Sequence, residues 1–530
     1  MIERHVVLSG PMGAGKTTVG RILSGRLGVA FVDTDALLSQ RLEKTIAAAF
    51  RELGEAAFRE AERHVVREAL DSVEPCVLAL GGGALLDRAC RHHALDVATV
   101  VTLTASPSVL AARVGNGADR PLLAGGDSAL RLAEILDARA HAYAEAHWVF
   151  TTDDIEPEAV ADAIELGLKH QRVVMPLGER TYPIEFCSGE PGITTDHVAV
   201  CAPSSIVIVT DTNIKRARGP FLRRALAPLT MPQTEAVLVP GELRKTQHSV
   251  SMIWDVALGG GVDRDTLLVA FGGGVVGDMA GFAAATLLRG VRWMMVPTTL
   301  LAMVDASVGG KTGFDHASGK NLIGAFHQPS AVVIDVAHLS TLPLREQRAG
   351  LAEVVKAGWI VDRGLVGLTA AWVKAGCPLD ANVVAMVARA VAVKVSLVRD
   401  DERESGPRAL LNFGHTVGHV LESQGGYQRW LHGEAVAVGM VAELSAFEIL
   451  GLVPKGSAAA CAADVEAIGL SPRVGGSELA AAARHLATDK KRRGDDLLLP
   501  IPNDAGRGRI ERVEVATFRR AVEEVARNWA

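Results

Sequence analysis

The sequence predicts an α/β protein made of three consecutive parts, and three observations carry this prediction. Residues 6–8 form a buried-strand pattern that leads through a glycine-rich loop, GPMGAGKT at residues 10–17, into a helical run. A second stretch of alternating strands and helices contains the glycine cluster GGGVVGD at residues 272–278. From Leu344 onward the pattern becomes mostly helical. Because such alternation is typical of parallel sheets covered by helices, we expect a parallel-sheet domain at 1–170, an α/β subdomain at 171–343 and a mostly α-helical subdomain at 344–530.

Length and composition are those of an ordinary globular protein. At 530 residues the chain is too long for one hydrophobic core. A net charge of -6 gives no basic field for nucleic acid or an anionic membrane. We see no secretory signal, and the longest charge-free apolar run, residues 293–304, is too short to span a membrane. The six cysteines lack CxxC spacing, which suits a reducing compartment, so we expect a cytoplasmic protein.

The loop at residues 10–17 has the pattern G-x-x-x-x-G-K-T of a phosphate-binding loop, in the strand–loop–helix setting that the mechanism needs. Its glycines let backbone N–H groups turn toward phosphate oxygens, and the helix N-terminus adds positive potential. Lys16 would reach the outer phosphates, and Thr17 would hold magnesium. We therefore predict nucleotide binding here.

Polar residues and glycines follow the next predicted strands. Residues 30–35 end a strand with Asp33 and Asp35, which would face the ligand crevice at the carboxyl edge of a parallel sheet; the alternative for Asp35 is a cap for the following helix. Residues 77–80 form another strand, which ends in three glycines, a backbone that a ligand can approach closely. The glycine-bracketed loop at 113–126 holds Arg120, which would neutralise charge on a transferring phosphoryl group once the loop closes.

On these residues, with Arg59 and Arg139 in helical segments, the first part resembles shikimate kinases over nearly its whole length. The resemblance implies ATP and Mg²⁺, with the magnesium held by Thr17 and Asp33. The implied ATP-binding residues are Gly13, Ala14, Gly15, Lys16, Thr17, Thr18 and Arg120. The implied shikimate-binding residues are Asp35, Arg59, Gly81, Gly82, Gly83 and Arg139. Asp35 and Arg120 are the implied catalytic residues, and Asp35 would help to deprotonate the attacking hydroxyl. Arg59 and Arg139 suit the carboxylate of shikimate. Another small-molecule kinase is the alternative.

The second part places glycines and lysines where anions bind. The cluster at 272–278 lies between a buried strand and a helix, a place for a dinucleotide pyrophosphate, although it lacks a G-x-G-x-x-G fingerprint. Residues 303–324, MVDASVGGKTGFDHASGKNLIG, are rich in glycine and lysine. This segment predicts either a solvated loop or a phosphate site, with Arg289 just upstream.

The helical part brings together residue types found in metal sites. His415 and His419 are one helical turn apart in RALLNFGHTVGH, with Glu353 upstream and His432 downstream. Two histidines and a glutamate, with one position left for water or substrate, have the composition of a catalytic zinc site. The alternative is a pair of histidines on an ordinary helix. One metal with several lysines and arginines implies an anionic substrate.

The blocks GGGVVGD, VDASVGGKTG, GKNLIGAF, EVVKAG, NFGHTVGH and HGEAVA resemble dehydroquinate synthase over essentially all of residues 171–530. That family converts the sugar acid phosphate DAHP to 3-dehydroquinate with NAD and zinc, or cobalt in its place. The implied metal ligands are Glu353, His415 and His432. His419 is then not a ligand: it would act as an acid or base, or would contact the ligands without touching the metal. The implied NAD contacts are Asp211, Glu242, Lys245, Gly273, Gly274, Val275, Asp278, Thr298, Thr299, Lys311 and Lys320. The implied DAHP contacts are Arg289, Asp305, Lys311, Asn321, Lys356, Lys394, Arg408, Asn412 and Lys490.

Among these, the implied catalytic residues are Lys311, Lys356, Lys394, Arg408, Asn412 and His419. Because Arg289 is expected to act across an interface, the resemblance also implies a homodimer through this part. The departures from the family pattern are local: Leu288 stands where a tyrosine is usual, and Asp315-His316 replaces an apolar-Asn pair.

The sequence therefore predicts a bifunctional enzyme of the shikimate pathway, kinase first and synthase second, with independent sites. The alternatives for the second activity are a sugar phosphate cyclase of the valiolone or inosose kind and a metal-dependent polyol dehydrogenase. A third alternative makes one half a regulatory module without catalysis.

Overall fold

A computed structural model describes residues 2–115, 127–486, 492–493, 496–503 and 506–529. The chain divides into two compact units, Met1–Pro183 and Ile184–Ala530. Both units contain parallel sheets with helices, so the predicted α/β class is confirmed. The boundaries at residues 170 and 343 stay predictions.

The first unit is a parallel sheet covered by helices. Its described strands are β1 (His5–Ser9), β2 (Ala30–Asp33), β3 (Cys76–Ala79), β4 (Ala98–Thr104), β5 (Trp148–Thr151) and β6 (Gln171–Met175). Its described helices are α1 (Lys16–Leu27), α2 (Thr34–Leu42), α3 (Ile46–Leu70), α4 (Arg88–Val97), α5 (Pro107–Val114), α6 (Ser128–Ala144) and α7 (Pro157–Gly167). Five of these strands form the sheet, in the order β2-β3-β1-β4-β5, and β6 is not part of it. Because β1 and β3 are apolar and buried along their whole length, as strands of a doubly covered sheet are, the loops at their carboxyl ends are held side by side.

The second unit begins with another parallel sheet. Its described strands are β7 (Tyr182–Cys187), β8 (Ile206–Asp211), β9 (Gln233–Leu238), β10 (Leu267–Gly272), β11 (Arg292–Pro297), β12 (Lys311–His316), β13 (Gly319–Phe326) and β14 (Val332–Asp335). The helices of this half are α8 (Pro191–Cys201), α9 (Thr212–Leu226), α10 (Gln247–Gly259) and α11 (Gly274–Thr286). The parallel strands follow the order β7-β14-β11-β10-β8-β9.

The glycine- and lysine-rich segment at 303–324 is not the solvated loop that was one of its two predicted interpretations. It forms a π-helical turn, Ala302–Ala306, and then the antiparallel hairpin of β12 and β13. Gly313 and Gly324 face each other across the hairpin, where a Cβ on either would overlap the backbone of the opposite strand. The glycines therefore permit close strand pairing.

From Leu344 the second unit is mostly helical, as predicted. The described helices are α12 (Leu344–Ile360), α13 (Gly364–Lys374), α14 (Ala381–Val398), α15 (His415–Gln424), α16 (His432–Ile449), α17 (Ser457–Ala467), α18 (Gly476–His485) and α19 (Val515–Asn528). Three antiparallel strands complete it: β15 (Arg492–Arg493), β16 (Asp496–Asn503) and β17 (Gly506–Glu514). Of the described helices, α14 is long and apolar enough to cross a membrane, but 61% of it is buried inside the protein, as in a core helix.

Candidate active sites

The first candidate site starts at the loop between β1 and α1. Gly13 and Gly15 have φ angles of +82° and +92°, a region that favours glycine. Lys16, the first residue of α1, donates hydrogen bonds to the carbonyl oxygens of Gly10 and Pro11, both at 2.8 Å. Its ammonium group therefore lies over the loop, beside the N-terminus of α1, where positive potential attracts phosphate.

Thr17 and Asp33 meet beside this loop. The Thr17 hydroxyl donates to Oδ2 of Asp33 at 3.0 Å. The other oxygen of Asp33 accepts from the backbone N–H groups of Asp35 and Ala36, so Asp33 caps α2. Capping is therefore not the role of Asp35, which instead lines the adjacent cavity. A hydroxyl and a carboxylate supply the hard oxygen ligands that Mg²⁺ prefers.

A cavity of about 1140 Å³ joins the loop to the second group of predicted residues. Arg59 lies on one wall and donates to Oε2 of Glu62 at 2.6 Å. Gly81 and Gly83 pack so tightly that a Cβ on Gly81 would overlap Asp35, and one on Gly83 would overlap the Arg59 guanidinium. Close approach of a ligand to these glycines stays a prediction, and the structure adds a steric reason for glycine at both positions, namely room for charged side chains.

Burial raises the pKa of Glu62, although the charge of Arg59 opposes the rise. Glu62 is only 4% exposed. Arg139 reaches the same cavity from α6 and donates to the carbonyl oxygen of Gly82 at 3.0 Å, an oxygen that also accepts from the Tyr143 hydroxyl at 2.7 Å. The sequence reasoning gave no role to Glu62 or Tyr143. Their spacing from the arginines, i+3 and i+4 on a helix, was the available signal.

The remaining loop residues Ala14 and Thr18 also line the cavity. Arg120 and the rest of the loop at 116–126 lie outside the described residues.

The second candidate site brings Glu353, His415 and His432 together from three helices. Nε2 of His415 lies 3.8 Å from Oε1 of Glu353, and Nε2 of His432 lies 3.7 Å from the same oxygen. One ligand atom from each of the three lies within 4.8 Å of the others. Because His415 and His432 are the first residues of α15 and α16, the two helix starts hold the rings side by side.

The surroundings of these three side chains fit a divalent cation. Nδ1 of His415 lies 3.1 Å from the carbonyl oxygen of Phe413, and Nδ1 of His432 lies 3.1 Å from Oε2 of Glu422. Since both partners only accept, Nδ1 of each ring is the donor in these contacts, and Nε2 of each ring, at 3.8 and 3.7 Å from Oε1 of Glu353, is left for a cation. Oε1 of Glu353 is buried and has no hydrogen-bond partner among the described residues. One oxygen and two nitrogens of this kind form a zinc-type donor set.

His419 lies close to this group but is exposed. Its ring centroid is 5.1 Å from that of His415 and 6.0 Å from that of His432. A second set of ligand-type side chains, His419, Glu422 and His432, is equally compact. In that set, however, Glu422 already accepts from His432, so its carboxylate is engaged.

Three of the predicted substrate-binding lysines are paired with carboxylates. Lys356 pairs with Glu353, and Lys311 pairs with Glu404. Lys394 donates to Oδ1 of Asp305 at 2.6 Å. Burial would raise the pKa of Asp305, but the charges of Lys394 and Lys356 hold it well below its usual value. Burial also lowers the pKa of Lys394.

Arg408 and Asn412 lie at the edge of this cluster. Arg408 is 1% exposed and donates to the carbonyl oxygens of Glu402 and, at 3.2 Å, Gly309. Asn412 donates to Oε1 of Glu404 at 2.6 Å. Glu404 therefore connects Asn412 with Lys311, a role that the sequence reasoning missed although Glu404 stands four residues before Arg408.

The predicted dinucleotide residues surround the N-terminus of α11. Gly273 and Gly274 begin this helix, and Cβ atoms there would press on Thr299 and on Ala306, each at 3.1 Å. Asp278, one turn further along α11, pairs with Lys245, which also donates to Asn321 at 2.5 Å.

The other predicted dinucleotide residues lie on nearby strand ends and turns. Lys320 lies 3.1 Å from Glu242 and 3.2 Å from Glu422. The Oγ1 of buried Thr298 has no hydrogen-bond partner within the described residues. Asp211 caps α9, and Val275 is the second residue of α11.

Arg289 differs from the predicted substrate residues described above. Arg289 is exposed, and within the described part of the chain no hydrogen bond or ion pair links it to the other predicted residues. Lys490 lies outside the described residues. The two departures, at Leu288 and Asp315, are accommodated: Leu288 takes φ +51°, and Asp315 accepts from the Asn321 N–H at 2.8 Å.

Comparison with known proteins gives matches in both units. The family model for shikimate kinase matches residues 12–168, and the models for the 3-dehydroquinate synthase N-terminal and C-terminal domains match residues 235–349 and 350–492. A shikimate kinase from Acinetobacter baumannii, solved with shikimate, is 33% identical over 31% of this chain and 90% of its own, with a TM-score of 0.30.

Two solved synthase structures match about two thirds of this chain. The 2-epi-5-epi-valiolone synthase from Streptomyces hygroscopicus subsp. jinggangensis 5008, with NAD+ and Zn2+ bound, is 26% identical over 66% of this chain and 97% of its own, with a TM-score of 0.58. A 2-deoxy-scyllo-inosose synthase with carbaglucose-6-phosphate, NAD+ and Co2+ is 23% identical over 67% of this chain and 99% of its own, also with a TM-score of 0.58.

Proposed function

Because the chain belongs to the shikimate kinase family over residues 12–168 and to the 3-dehydroquinate synthase family over residues 235–492, we propose that it catalyses two reactions of the shikimate pathway. The first is ATP-dependent phosphorylation of shikimate to shikimate 3-phosphate. The second is conversion of DAHP to 3-dehydroquinate with release of phosphate. The observation that carries the proposal is that each unit gathers its own set of predicted site residues around a separate centre.

In the kinase unit, we assign phosphate binding to the loop and Lys16. Thr17 and Asp33 would hold magnesium, which supplies charge neutralisation during phosphoryl transfer. Asp35 faces the same cavity as the loop, so it can orient and deprotonate a hydroxyl of shikimate. Arg59 and Arg139 also line this cavity, where forked donors suit the carboxylate of shikimate. We assign Arg120 to the transferring phosphate by family resemblance alone.

In the synthase unit, Glu353, His415 and His432 would hold zinc or cobalt, which supplies Lewis-acid polarisation of a substrate alcohol and carbonyl. The predicted dinucleotide residues, among them Gly273 and Gly274 at the start of α11, would hold NAD, which supplies reversible hydride transfer without being consumed. The chain's own side chains bind and orient the acid phosphate: Lys356, Lys394 and the other cations of the cluster lie near the metal ligands and can pair with its carboxylate and phosphate. His419 is exposed beside the cluster and can move a proton at the substrate.

A sugar phosphate cyclase is the second candidate for this unit, because the valiolone synthase shares its fold at 26% identity. The cations Lys311, Lys394 and Arg408 favour a substrate that carries a carboxylate as well as a phosphate. Comparing phosphate release from DAHP with release from the matching sugar phosphate that lacks the carboxylate decides between the two. Faster release from the latter contradicts the dehydroquinate assignment.

We also propose a cytoplasmic homodimer formed through the synthase unit, with Arg289 supplied to the partner's site. Its support is that Arg289 is exposed and that, among the described residues, no hydrogen bond or ion pair links it to the other predicted substrate residues of its own chain.

Two single substitutions test the assignment of both activities. Lys16→Ala should abolish phosphorylation of shikimate and leave phosphate release from DAHP intact, because it removes a phosphate-binding charge from one unit only. His415→Ala should do the reverse, since it removes a metal ligand from the other unit. Coupled assays of ADP and of inorganic phosphate on the full chain measure both. Loss of both activities in either variant, with the fold intact by circular dichroism, would contradict independent sites.

A further inference from the structure

Glu422 is a buried carboxylate that touches both groups of residues assigned to the synthase site. It lies on α15, one helical turn beyond His419, and its side chain is 3% exposed. Oε2 accepts from Nδ1 of His432 at 3.1 Å, while Oε1 lies 3.2 Å from the ammonium nitrogen of Lys320. One carboxylate thus joins a candidate metal ligand to a candidate NAD-binding lysine.

The contacts of Lys320 extend the connection. Its ammonium nitrogen lies 3.1 Å from Oε1 of Glu242 and 4.6 Å from the ring centroid of Tyr427. Glu242 belongs to the short turn after β9, and Lys320 belongs to β13, so this network reaches from the helical half of the unit to the sheet half.

We propose that Glu422 is a positioning residue that couples metal binding to NAD binding; this inference rests on the function proposed above. A cation on Nε2 of His432 fixes the ring with its Nδ1–H toward Glu422. The fixed carboxylate then holds Lys320 in place at the dinucleotide crevice. Since both oxygens of Glu422 are committed, ordering one end preorganises the other, and binding of either ligand strengthens binding of the other.

The test measures the affinity of the full chain for NAD with and without zinc. NAD is titrated calorimetrically into protein stripped with a chelator and into the same protein reloaded with zinc, and the ratio of the two dissociation constants is the coupling factor. We expect a factor of about five or more for the wild-type chain. Glu422→Gln keeps the size and one accepting oxygen but removes the charge, so the factor should fall to within about twofold of one.

The matched control is Glu185→Gln. Glu185 is also buried, with its Oε1 3.4 Å from Nε2 of His197, but it lies on β7 and is not part of the candidate site. This variant should keep the wild-type coupling factor. If Glu422→Gln does not fold, Lys320→Met cuts the same connection at its more exposed end, and it too should bring the factor close to one while zinc still binds.

A wild-type coupling factor of one, or an unchanged factor in Glu422→Gln or Lys320→Met, overturns the proposal. Failure of the proposed function has a different signature: a chain that binds zinc and NAD with coupling but releases no phosphate from DAHP refutes the reaction and leaves the coupling standing. Unchanged coupling in a Glu422→Gln enzyme that converts DAHP refutes the role of Glu422 and leaves the proposed reaction standing.

Discussion

Tyr143 shows at the residue scale how a side chain that need not touch the substrate can tune a binding site. Its hydroxyl and the Arg139 guanidinium share the carbonyl oxygen of Gly82, and the side chain is 8% exposed. Tyr143→Phe removes one hydrogen bond worth about 1 kcal/mol. We therefore expect the KM for shikimate to rise about fivefold, with kcat and the KM for ATP nearly unchanged, in steady-state kinase assays.

The control for this prediction is Tyr182→Phe, which alters a buried tyrosine on β7 that has no assigned part in the kinase site. It should leave the KM for shikimate as it is. An unchanged KM in Tyr143→Phe would mean that Arg139 alone positions the Gly82 carbonyl.

A residue could be predicted from the sequence when the motif that identifies it lies within a short stretch of the chain. Lys16 and Thr17 stand in a loop whose spacing specifies phosphate binding, and the fold places them beside Asp33. Glu404 and Glu422 were missed because their partners, Lys311 and Lys320, are far away in the sequence and only the tertiary fold brings them together. A carboxylate in a turn, such as Glu404, or on a helix, such as Glu422, looks the same in the sequence as a solvated one until its partner is known.

At the scale of elements, the pairing of α15 with α16 determines where two of the candidate metal ligands lie. A Cβ on Gly439 of α16 would overlap the carbonyl oxygen of Gly414, so the helices approach as closely as their backbones allow. Glu443 of α16 is fully buried and accepts from the N–H groups of Gly414 and Val417 at 2.8 and 3.1 Å. It thereby satisfies donors that the start of a helix leaves unpaired.

Glu443→Gln should therefore weaken the start of α15 on which His415 lies. Loss of a charged acceptor for buried amides costs about 2 kcal/mol, seen as a lower midpoint for unfolding of the synthase unit in urea. Zinc affinity should fall as well, because His415 loses its fixed position, while kinase activity stays unchanged.

Glu448→Gln provides the comparison on the same helix, since Glu448 accepts from the Ala458 N–H at the start of α17. It should lower stability without changing zinc affinity. Equal zinc affinity in Glu443→Gln and the wild type would show that other contacts fix His415.

Strands and helices with a regular hydrophobic pattern could be predicted from the sequence, whereas a glycine-rich hairpin could not. Alternating buried strands and helices predicted the two parallel sheets, because burial on both faces leaves an unbroken apolar run. The hairpin of β12 and β13 was not foreseen as strands. Its glycines and charged residues resemble a loop, and only pairing of Gly313 with Gly324 explains why glycine is needed there.

At the scale of the whole molecule, the chain joins two compact units with separate candidate sites. A phosphate loop in one and a histidine and glutamate cluster in the other could be recognised separately, because each signal lies within its own stretch of sequence. A dimer interface could not be predicted in this way, because the residues of such a surface follow no fixed spacing in the sequence. A substitution at Arg289 provides a test for the proposed homodimer.

Arg289 follows α11 in a turn where Leu288 and Arg289 take φ angles of +51° and +69°, and its side chain is exposed. If Arg289 serves the partner's site, each synthase site takes its metal ligands from one chain and its Arg289 from the other chain. Arg289→Ala and His415→Ala then remove contributions that come from different chains. Co-expressing these two variants should then restore synthase activity, because a mixed dimer has one site with intact metal ligands and an intact arginine. With random pairing of equal amounts, about a quarter of the wild-type activity is expected, measured as phosphate release from DAHP.

The control is co-expression of His415→Ala with His432→Ala. It tests whether co-expression restores activity even when both substitutions remove ligands of the same metal site. Both lesions strike the metal ligands, so every site in a mixed dimer contains a damaged set and no activity should return. Recovery in this control would point to exchange of whole helices between subunits. Absence of recovery with Arg289→Ala, in a dimer verified by its mass in solution, would instead place Arg289 outside the partner's site and confine each synthase site to one chain.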